Sequence, residues 1–174
     1  MKYLFLCVIL LVIEAKAFRL EPMTADFSSS GDGSVRDFRI VNDSKDEIAV
    51  NVRAYLREMS INGKEKRTPT TDFKISPVQF ALMPNYFQTI RVTYQGAPLV
   101  DSEVPYRIIA TQLPVYSKNR SKEKGIRSLF QYIASVYVTS DRFDPKFEVE
   151  AILQTEEDGM KVTLVNNGKK HRKN

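Results

Sequence analysis

The clearest β-pattern of the chain lies at residues 48–57, which read IAVNVRAYLR. Apolar and polar side chains alternate there, so that Ile48 and Val50 share one face of a strand while Asn51 and Arg53 share the other. A period of two over this length is typical of a strand that covers a core with one face and meets water with the other. This stretch therefore predicts a β-sheet protein with a packed interior.

Further segments of the same kind lie on both sides of this strand. They are Phe18–Phe27, Val35–Val41, Phe73–Met83, Gln88–Tyr94, Val104–Leu113 and Ile126–Val138. Gly, Pro, Asn and Asp separate them, as expected of turns, and no stretch has the periodicity of a helix. Seven strands with turn signals between them predict an all-β fold, in which residues 18–140 form an immunoglobulin-like β-sandwich.

The rest of the chain is too short for a second complete core. We expect a linker at residues 141–146 and then a partial second β-domain at residues 147–174, which ends in a basic tail. Two short strands, Phe147–Gln154 and Met160–Asn166, are predicted in it. Because so few residues cannot bury a core of their own, we expect the apolar face around Phe147 to lack a covering sheet.

The first 17 residues have the features of a secretory leader. Lys2 precedes an apolar stretch, Tyr3–Ile13, and Ala15-Lys16-Ala17 fits a small-x-small cleavage site. The apolar stretch is too short to cross a bilayer, so we expect export, cleavage near Ala17 and no membrane insertion afterwards. Cys7, the only cysteine, would be lost with the leader. Packing alone, without a disulfide, must then hold the exported chain together.

Charge and motifs exclude several classes of function. The net charge of +5 predicts a mildly basic surface, but no arginine-rich helix or nucleic-acid motif is present. No P-loop, Ser-His-Asp set, paired carboxylates or Cys/His cluster is visible, so we expect no enzymatic activity and neither a metal nor a cofactor. His171, the only histidine, is expected to be a solvated residue of the basic tail.

Residues 126–138 are apolar on both faces of the predicted strand. Phe130 and Tyr132 share the face of Ile126, and Ile133 lies on the other. A strand on the edge of a sandwich is normally apolar on one face only. Taken alone, the pattern fits a central strand that the fold covers on both sides, and it also fits a strand that lends one face to a partner.

The order and spacing of several short motifs resemble the periplasmic chaperones of the chaperone–usher pathway. These PapD-like proteins help to assemble pili on Gram-negative bacteria, and the chain is most similar to a divergent branch of them. The motifs are Phe18-Arg19-Leu20-Glu21-Pro22, Val41-Asn42, Ile75-Ser76-Pro77, Leu82-Met83-Pro84, Gln88-Thr89-Ile90-Arg91-Val92, Glu103-Val104-Pro105-Tyr106-Arg107, Leu113-Pro114 and Ser135-Val136-Tyr137-Val138.

The resemblance implies a periplasmic assembly chaperone made of two immunoglobulin-like domains. The last strand of the first domain would complete a pilus or fimbrial subunit that lacks one of its own strands, which is a form of β-strand addition. The subunit would then pass to an outer-membrane usher. We expect Ile126, Phe130 and Tyr132 to face the subunit. Family members continue beyond Asn174, so the second domain is expected to be truncated.

The resemblance also suggests charged positions of interest. Well-known family members hold the subunit's terminal carboxylate with two basic residues, but the matching positions here are Thr24 and Ser135, which carry no charge. Arg107 is the candidate anchor instead, because a guanidinium binds a carboxylate through two hydrogen bonds, and Tyr55 could add a hydroxyl donor. Ordinary strand surface is the alternative for both.

Arg91 and Glu103 match family positions that pair across strands, so we expect a structural ion pair between them. The leading hypothesis is thus a non-enzymatic chaperone for pilus subunits. The alternative is a secreted structural or adhesive β-sandwich module that has no chaperone activity and binds no incomplete partner.

Overall fold

The alternating segments form β-strands in the computed structural model of the chain, which describes residues 18–98, 101–114, 129–154 and 160–171. The predicted leader, residues 1–17, lies outside the described residues. The strands are β1 (Phe18–Glu21), β2 (Thr24–Phe27), β3 (Val35–Asn42), β4 (Ile48–Met59), β5 (Glu65–Pro69), β6 (Phe73–Ser76), β7 (Gln79–Leu82), β8 (Phe87–Tyr94), β9 (Val104–Leu113), β10 (Gln131–Val138), β11 (Phe147–Gln154) and β12 (Met160–Asn166).

Strands β1 to β10 form two sheets that pack face to face. One sheet has the order β1-β3-β8-β6, and the other has the order β2-β10-β9-β4-β5 with β7 paired to β4. The apolar phases of the strands meet between the sheets and form one buried cluster, whose largest members include Phe18, Phe27, Phe38, Ile40, Ile90, Ile108 and Val136. The predicted immunoglobulin-like sandwich is confirmed.

Two of the predicted strands are divided between the sheets. Phe18–Phe27 becomes β1 in one sheet and β2 in the other, and Phe73–Met83 becomes β6 and β7 in the same way. Pro22 and Pro77 lie at the two breaks. Proline has no N–H to donate to a ladder, so a strand is readily interrupted there and can change sheets.

Strand β5 was not predicted, because its sequence, EKRTP, has no apolar alternation. It pairs antiparallel with the end of β4, with Glu65 opposite Met59 and Pro69 opposite Tyr55. It is the outermost strand of its sheet, and charged side chains and proline on such an edge discourage pairing with other chains.

Asn42 connects two turns at one end of the sandwich. Its buried amide donates hydrogen bonds to the carbonyls of Asp46 (2.8 Å) and Leu82 (3.0 Å), and its side-chain oxygen accepts one from the amide of Ser44 (3.0 Å). A buried polar side chain is stable when its hydrogen bonds are made within the fold. Asn42 therefore holds the β3–β4 turn against the end of β7.

The predicted linker packs against the sandwich. Phe143 is only 3% exposed and belongs to the buried cluster. The segment after β12 runs beside the linker, where the amide of Asn167 donates to the carbonyl of Lys146 at 2.8 Å. A Cβ on Gly168 would lie 2.2 Å from the backbone nitrogen of Lys146, so this close approach requires glycine. The division into domains at residue 140 stays a prediction.

Strands β11 and β12 form an antiparallel pair of their own. Phe147 and Val149 of β11 and Leu164 of β12 are exposed, in agreement with the expectation that this apolar face lacks a cover. Within the described ranges, no helix is long and apolar enough to cross a membrane.

Candidate functional site

Strand β10 is central in its sheet over its second half only. β9 pairs with it along its whole length, from Gln131 to Val138, but β2 pairs only with Ser135–Val138. The amide of Ser135 donates to the carbonyl of Met23 at 2.9 Å, which marks the start of this pairing. Beside residues 131–134, no strand lies on that edge in the part of the chain that the structure describes.

Backbone hydrogen bonds show which residues point to the open edge. The amide of Thr139 donates to β2 and that of Ser135 to Met23 just before β2, whereas the carbonyl of Phe130 accepts from the amide of Gln112 in β9. Neighbouring residues of a strand direct their N–H and C=O groups to opposite sides, so the backbone groups of the odd-numbered residues of β10 point away from β9. Gln131 and Ile133 therefore present backbone donors and acceptors to the open edge.

The side chains of β10 become more exposed toward the open half. Ala134, Val136 and Val138 are buried in the sandwich, and on the same face Tyr132 is half-buried while Phe130 is 38% exposed. The ring of Tyr132 packs edge-on against Phe18, with 4.8 Å between the ring centroids. The fold thus already covers part of Tyr132 and leaves more of Phe130 uncovered.

The pairing of this strand changes at Ser135. From that residue onward β2 pairs with it, and before that point no strand of the described residues pairs with that edge. Leu129, which lies just before β10, is also exposed. Ile126 lies outside the described residues. That Phe130 and Tyr132 contact a subunit stays a prediction.

The residues considered for carboxylate binding lie in one row across the second sheet. Successive Cα partners run from Thr24 to Ser135, Arg107, Tyr55 and Pro69. The two uncharged family positions and the two candidate anchors are therefore neighbours. Tyr55 is half-buried beside Arg107. Their role as an anchor stays a prediction.

Arg107 already binds a carboxylate of its own chain. Its Nε lies 3.2 Å from Oε1 of Glu65 and its Nη2 lies 2.8 Å from Oε2, while Nη1 donates to Oγ of Ser135. The Arg107 side chain is only 13% exposed. The hydrogen bond to Glu65 raises the pKa of Arg107 above its ordinary value, so the guanidinium stays charged.

Two further guanidinium groups form ion pairs with the Glu65 carboxylate. Arg57 Nε lies 2.9 Å from Oε2, and Arg67 Nε lies 2.6 Å from Oε1. The hydrogen bond from Arg107, with those from Arg67 and Arg57, holds the pKa of Glu65 well below its ordinary value of 4.5. We call Glu65, Arg57, Arg67 and Arg107 the Glu65 cluster; with one negative and three positive side chains, it carries an excess of positive charge.

The sequence did not indicate the role of Glu65. It precedes Arg107 by 42 residues and lies in a charged stretch without alternation. The β4–β5 and β4–β9 pairings bring the two together across the sheet. A contact of this kind depends on the order of strands in the sheet, which local sequence patterns do not reveal.

The expected ion pair between Arg91 and Glu103 is wrong. Arg91 binds Asp37 instead, through Nε at 3.0 Å and Nη2 at 3.2 Å. The two residues are Cα partners on β8 and β3, and the hydrogen bond from Arg91 lowers the pKa of Asp37. Both side chains are exposed, so this pair adds little stability.

Glu103 binds the tail instead. Nδ1 of His171 lies 2.6 Å from Oε1 of Glu103, and the His171 ring stacks on Tyr137 with 3.8 Å between centroids. The amide of Glu103 also donates to the carbonyl of Lys169 at 2.9 Å. The expectation that His171 is solvated is therefore wrong, because the chain after β12 returns to the sandwich. Among the described residues, no group of His, Cys, Asp and Glu could hold a metal ion.

Comparisons with solved structures find the same fold in fimbrial chaperones. A chaperone–tip adhesin complex of CFA/I fimbriae biogenesis matches with a TM-score of 0.62 and 15% identity, over 88% of this chain and 67% of the other. The CsuC–CsuE chaperone–tip adhesion subunit pre-assembly complex, from archaic chaperone–usher Csu pili of Acinetobacter baumannii, has a TM-score of 0.62, 16% identity and coverages of 88% and 73%.

The class 5 fimbriae chaperone CfaA has a TM-score of 0.60, with 16% identity and coverages of 87% of this chain and 67% of the other. At these identities the likeness shows the fold alone. No curated protein matches the sequence. A family model does match it, over residues 27–136, and is described as the PapD N-terminal domain of pili and flagellar-assembly chaperones. With most of the sandwich matched by this model, the chain belongs to the pili and flagellar-assembly chaperone family.

Proposed function

We propose that this protein is a periplasmic chaperone that binds pilus or fimbrial subunits along the open half of β10 and delivers them to an outer-membrane usher. The observation that carries the proposal is the edge beside residues 131–134, which no strand within the described ranges covers, next to the exposed side chains of Leu129 and Phe130. The leader that the sequence predicts at residues 1–17 supports export to the periplasm. Family membership supports delivery to an usher.

Backbone hydrogen bonds and the burial of apolar side chains would both favour strand addition at this edge. A subunit strand would accept and donate backbone hydrogen bonds at Gln131 and Ile133, each contributing about 0.5–1.5 kcal/mol. Covering the 38% of Phe130 that is exposed would add about 2 kcal/mol, for a ring that buries about 200 Å² in full. Leu129 would add a similar amount. These contributions must exceed the cost of association.

The position of the Glu65 cluster supports one orientation of the added strand. β2 occupies the edge from Ser135 onward, so an added strand must end or turn there. Arg107 donates to Ser135 at that point, and the surrounding charge is positive. A chain end that carries a carboxylate is favoured there and an amino terminus is disfavoured. The added strand would then run parallel to β10, with its carboxyl end near Arg107.

The experiment is co-purification of subunits from cells that express the tagged chaperone. Phe130→Asp places a charge on the proposed contact and should abolish co-purification. Phe147→Asp is the matched control, because Phe147 is 43% exposed but lies on β11, and it should retain the subunit. Equal yields from the two variants would refute binding along β10 and would favour a secreted structural module.

A further inference from the structure

We propose that Glu65 acts as an internal ligand of the Arg107 guanidinium and that a carboxylate of the bound partner replaces Glu65 there. The inference rests on the proposed function, because it concerns the end of the same binding edge. It adds a residue that controls which ligands the edge accepts. A peptide chain end attached to an added strand would be accepted, and small free carboxylates would be rejected.

The first observation is that Glu65 occupies one two-nitrogen face of the Arg107 guanidinium. Its Nε and Nη2 form the planar pair that binds a carboxylate through two bonds, and both go to Glu65. Its remaining terminal nitrogen, Nη1, donates to Ser135. A ligand carboxylate can therefore use this face of Arg107 only after Glu65 leaves it.

The second observation is that Glu65 keeps other partners when it leaves. Arg57 and Arg67 each donate to it through Nε, at 2.9 and 2.6 Å. These two arginines are Cα partners on the β4–β5 pair, and Glu65 is the first residue of β5. Arg107 reaches the same carboxylate from β9. A side-chain rotation of Glu65 toward its own strand pair would release Arg107 and leave the glutamate paired.

The third observation is the balance of charge. Three guanidinium groups share one carboxylate, so a second carboxylate can enter without an excess of negative charge. The Glu65 side chain is only 19% exposed, so the ion pairs are stronger than on an open surface. In the free chaperone, Glu65 prevents Arg107 from being left as an unpaired, largely buried charge, which would be costly.

The exchange has a consequence for selectivity. One carboxylate replaces another at Arg107, so the exchange itself gains little free energy. A small anion such as acetate gains nothing else and should bind weakly. A chain end gains the strand pairing and the covered side chains of β10 in addition. Glu65 thus makes anchoring depend on strand addition.

The test uses sodium acetate as the probe and the full exported chain. Acetate is titrated while the ¹⁵N–¹H signal of Arg107 Nε is followed by NMR in wild type, Glu65→Gln and Glu58→Gln. The last is the matched control: it removes the same charge from β4, where Glu58 pairs with exposed Lys66. We expect Glu65→Gln to bind acetate at Arg107 about tenfold more tightly than the other two. Equal affinities in all three would overturn the proposal.

Thermal melting of each variant shows whether it is folded. If Glu65→Gln does not fold, Glu65→Asp replaces it, since a side chain shorter by one methylene keeps the charge but retreats from Arg107. It should also bind acetate more tightly than wild type, and an unchanged affinity would count against the exchange. The proposed function is tested separately by subunit co-purification with Phe130→Asp. Tighter acetate binding by Glu65→Gln, together with unchanged subunit co-purification by Phe130→Asp, would support the exchange of carboxylates at Arg107. The same pair of results would refute strand addition along β10.

Discussion

The substitution Phe143→Ala tests whether the segment between the sandwich and β11 is part of the sandwich. Phe143 is 3% exposed and lies in the buried cluster, although its sequence position predicts a linker. Truncating a buried phenylalanine to alanine costs about 3–5 kcal/mol, because apolar contacts are lost and a cavity remains. A domain of this size has a total stability of about 5–15 kcal/mol, so the effect would be large.

Urea denaturation followed by circular dichroism measures this cost. With a slope of about 2 kcal/mol per molar urea, a loss of about 3–5 kcal/mol lowers the midpoint by about 1.5–2.5 M. Phe147→Ala is the matched control, because Phe147 lies only four residues later and is 43% exposed. It should lower the midpoint by less than about 0.5 M.

Two results would contradict this reasoning. One is a Phe143→Ala midpoint that differs little from that of Phe147→Ala, which would mean that the linker is not packed in solution. The other is an unchanged transition of the sandwich with loss of a separate, earlier transition. In that case Phe143 would stabilise only the hairpin of β11 and β12.

Three further predictions concern buried polar contacts. Asn42→Ala should cost about 1–3 kcal/mol in urea denaturation, because it removes the donor of the buried bond to the Leu82 carbonyl; a cost near zero would show that water replaces the amide. The folded-state pKa of Glu65 lies below its ordinary value of 4.5, so its stabilisation is complete above that value and is lost as the pH falls further. Wild type should therefore lose more stability than Glu65→Gln between about pH 5 and pH 2, and parallel losses would contradict the contacts of Glu65. His171→Ala should speed amide hydrogen exchange of Glu103 about tenfold or more, because that amide is protected by Lys169 in the tail; unchanged exchange would mean that the tail docks without its histidine.

The two ends of the second sheet differ in a way that agrees with the proposed function. β5 at one end is short and charged, which discourages pairing with another chain. The open half of β10 at the other end carries Phe130 and Ile133 beside uncovered backbone groups. An apolar, unpaired edge promotes aggregation unless a partner covers it. Among the residues that the structure describes, one edge of the sheet is thus protected and part of the other is left unpaired.

Local patterns predicted most of the strands correctly. The alternation predicted at residues 48–57 and in β8 and β10 agrees with the burial of every second side chain, whereas β3 and β9 also bury Val41 and Ile109 out of phase. The alternation could not show that the strands containing Pro22 and Pro77 are divided between the sheets. It also missed β5, whose charged residues owe their strand conformation to pairing with β4.

The charged contacts were predicted least well. Arg107 was recognised as a candidate, but its partner Glu65 was not, and Arg91 pairs with Asp37 rather than Glu103. Both contacts join residues that are far apart in the chain: Arg91 and Asp37 are partners across one ladder, and Arg107 reaches Glu65 from two strands away. Ion pairing follows register, which a single sequence does not reveal.

Fold class, strand positions and the apolar character of β10 thus follow from the order of the amino acids, because a period of two and turn-forming residues act over a few neighbours. The length of open edge beside β10, the carboxylate that meets Arg107 and the docking of His171 follow from the packed arrangement of strands. They depend on where β2, β5 and the tail come to lie, and distant segments of the chain settle those positions together.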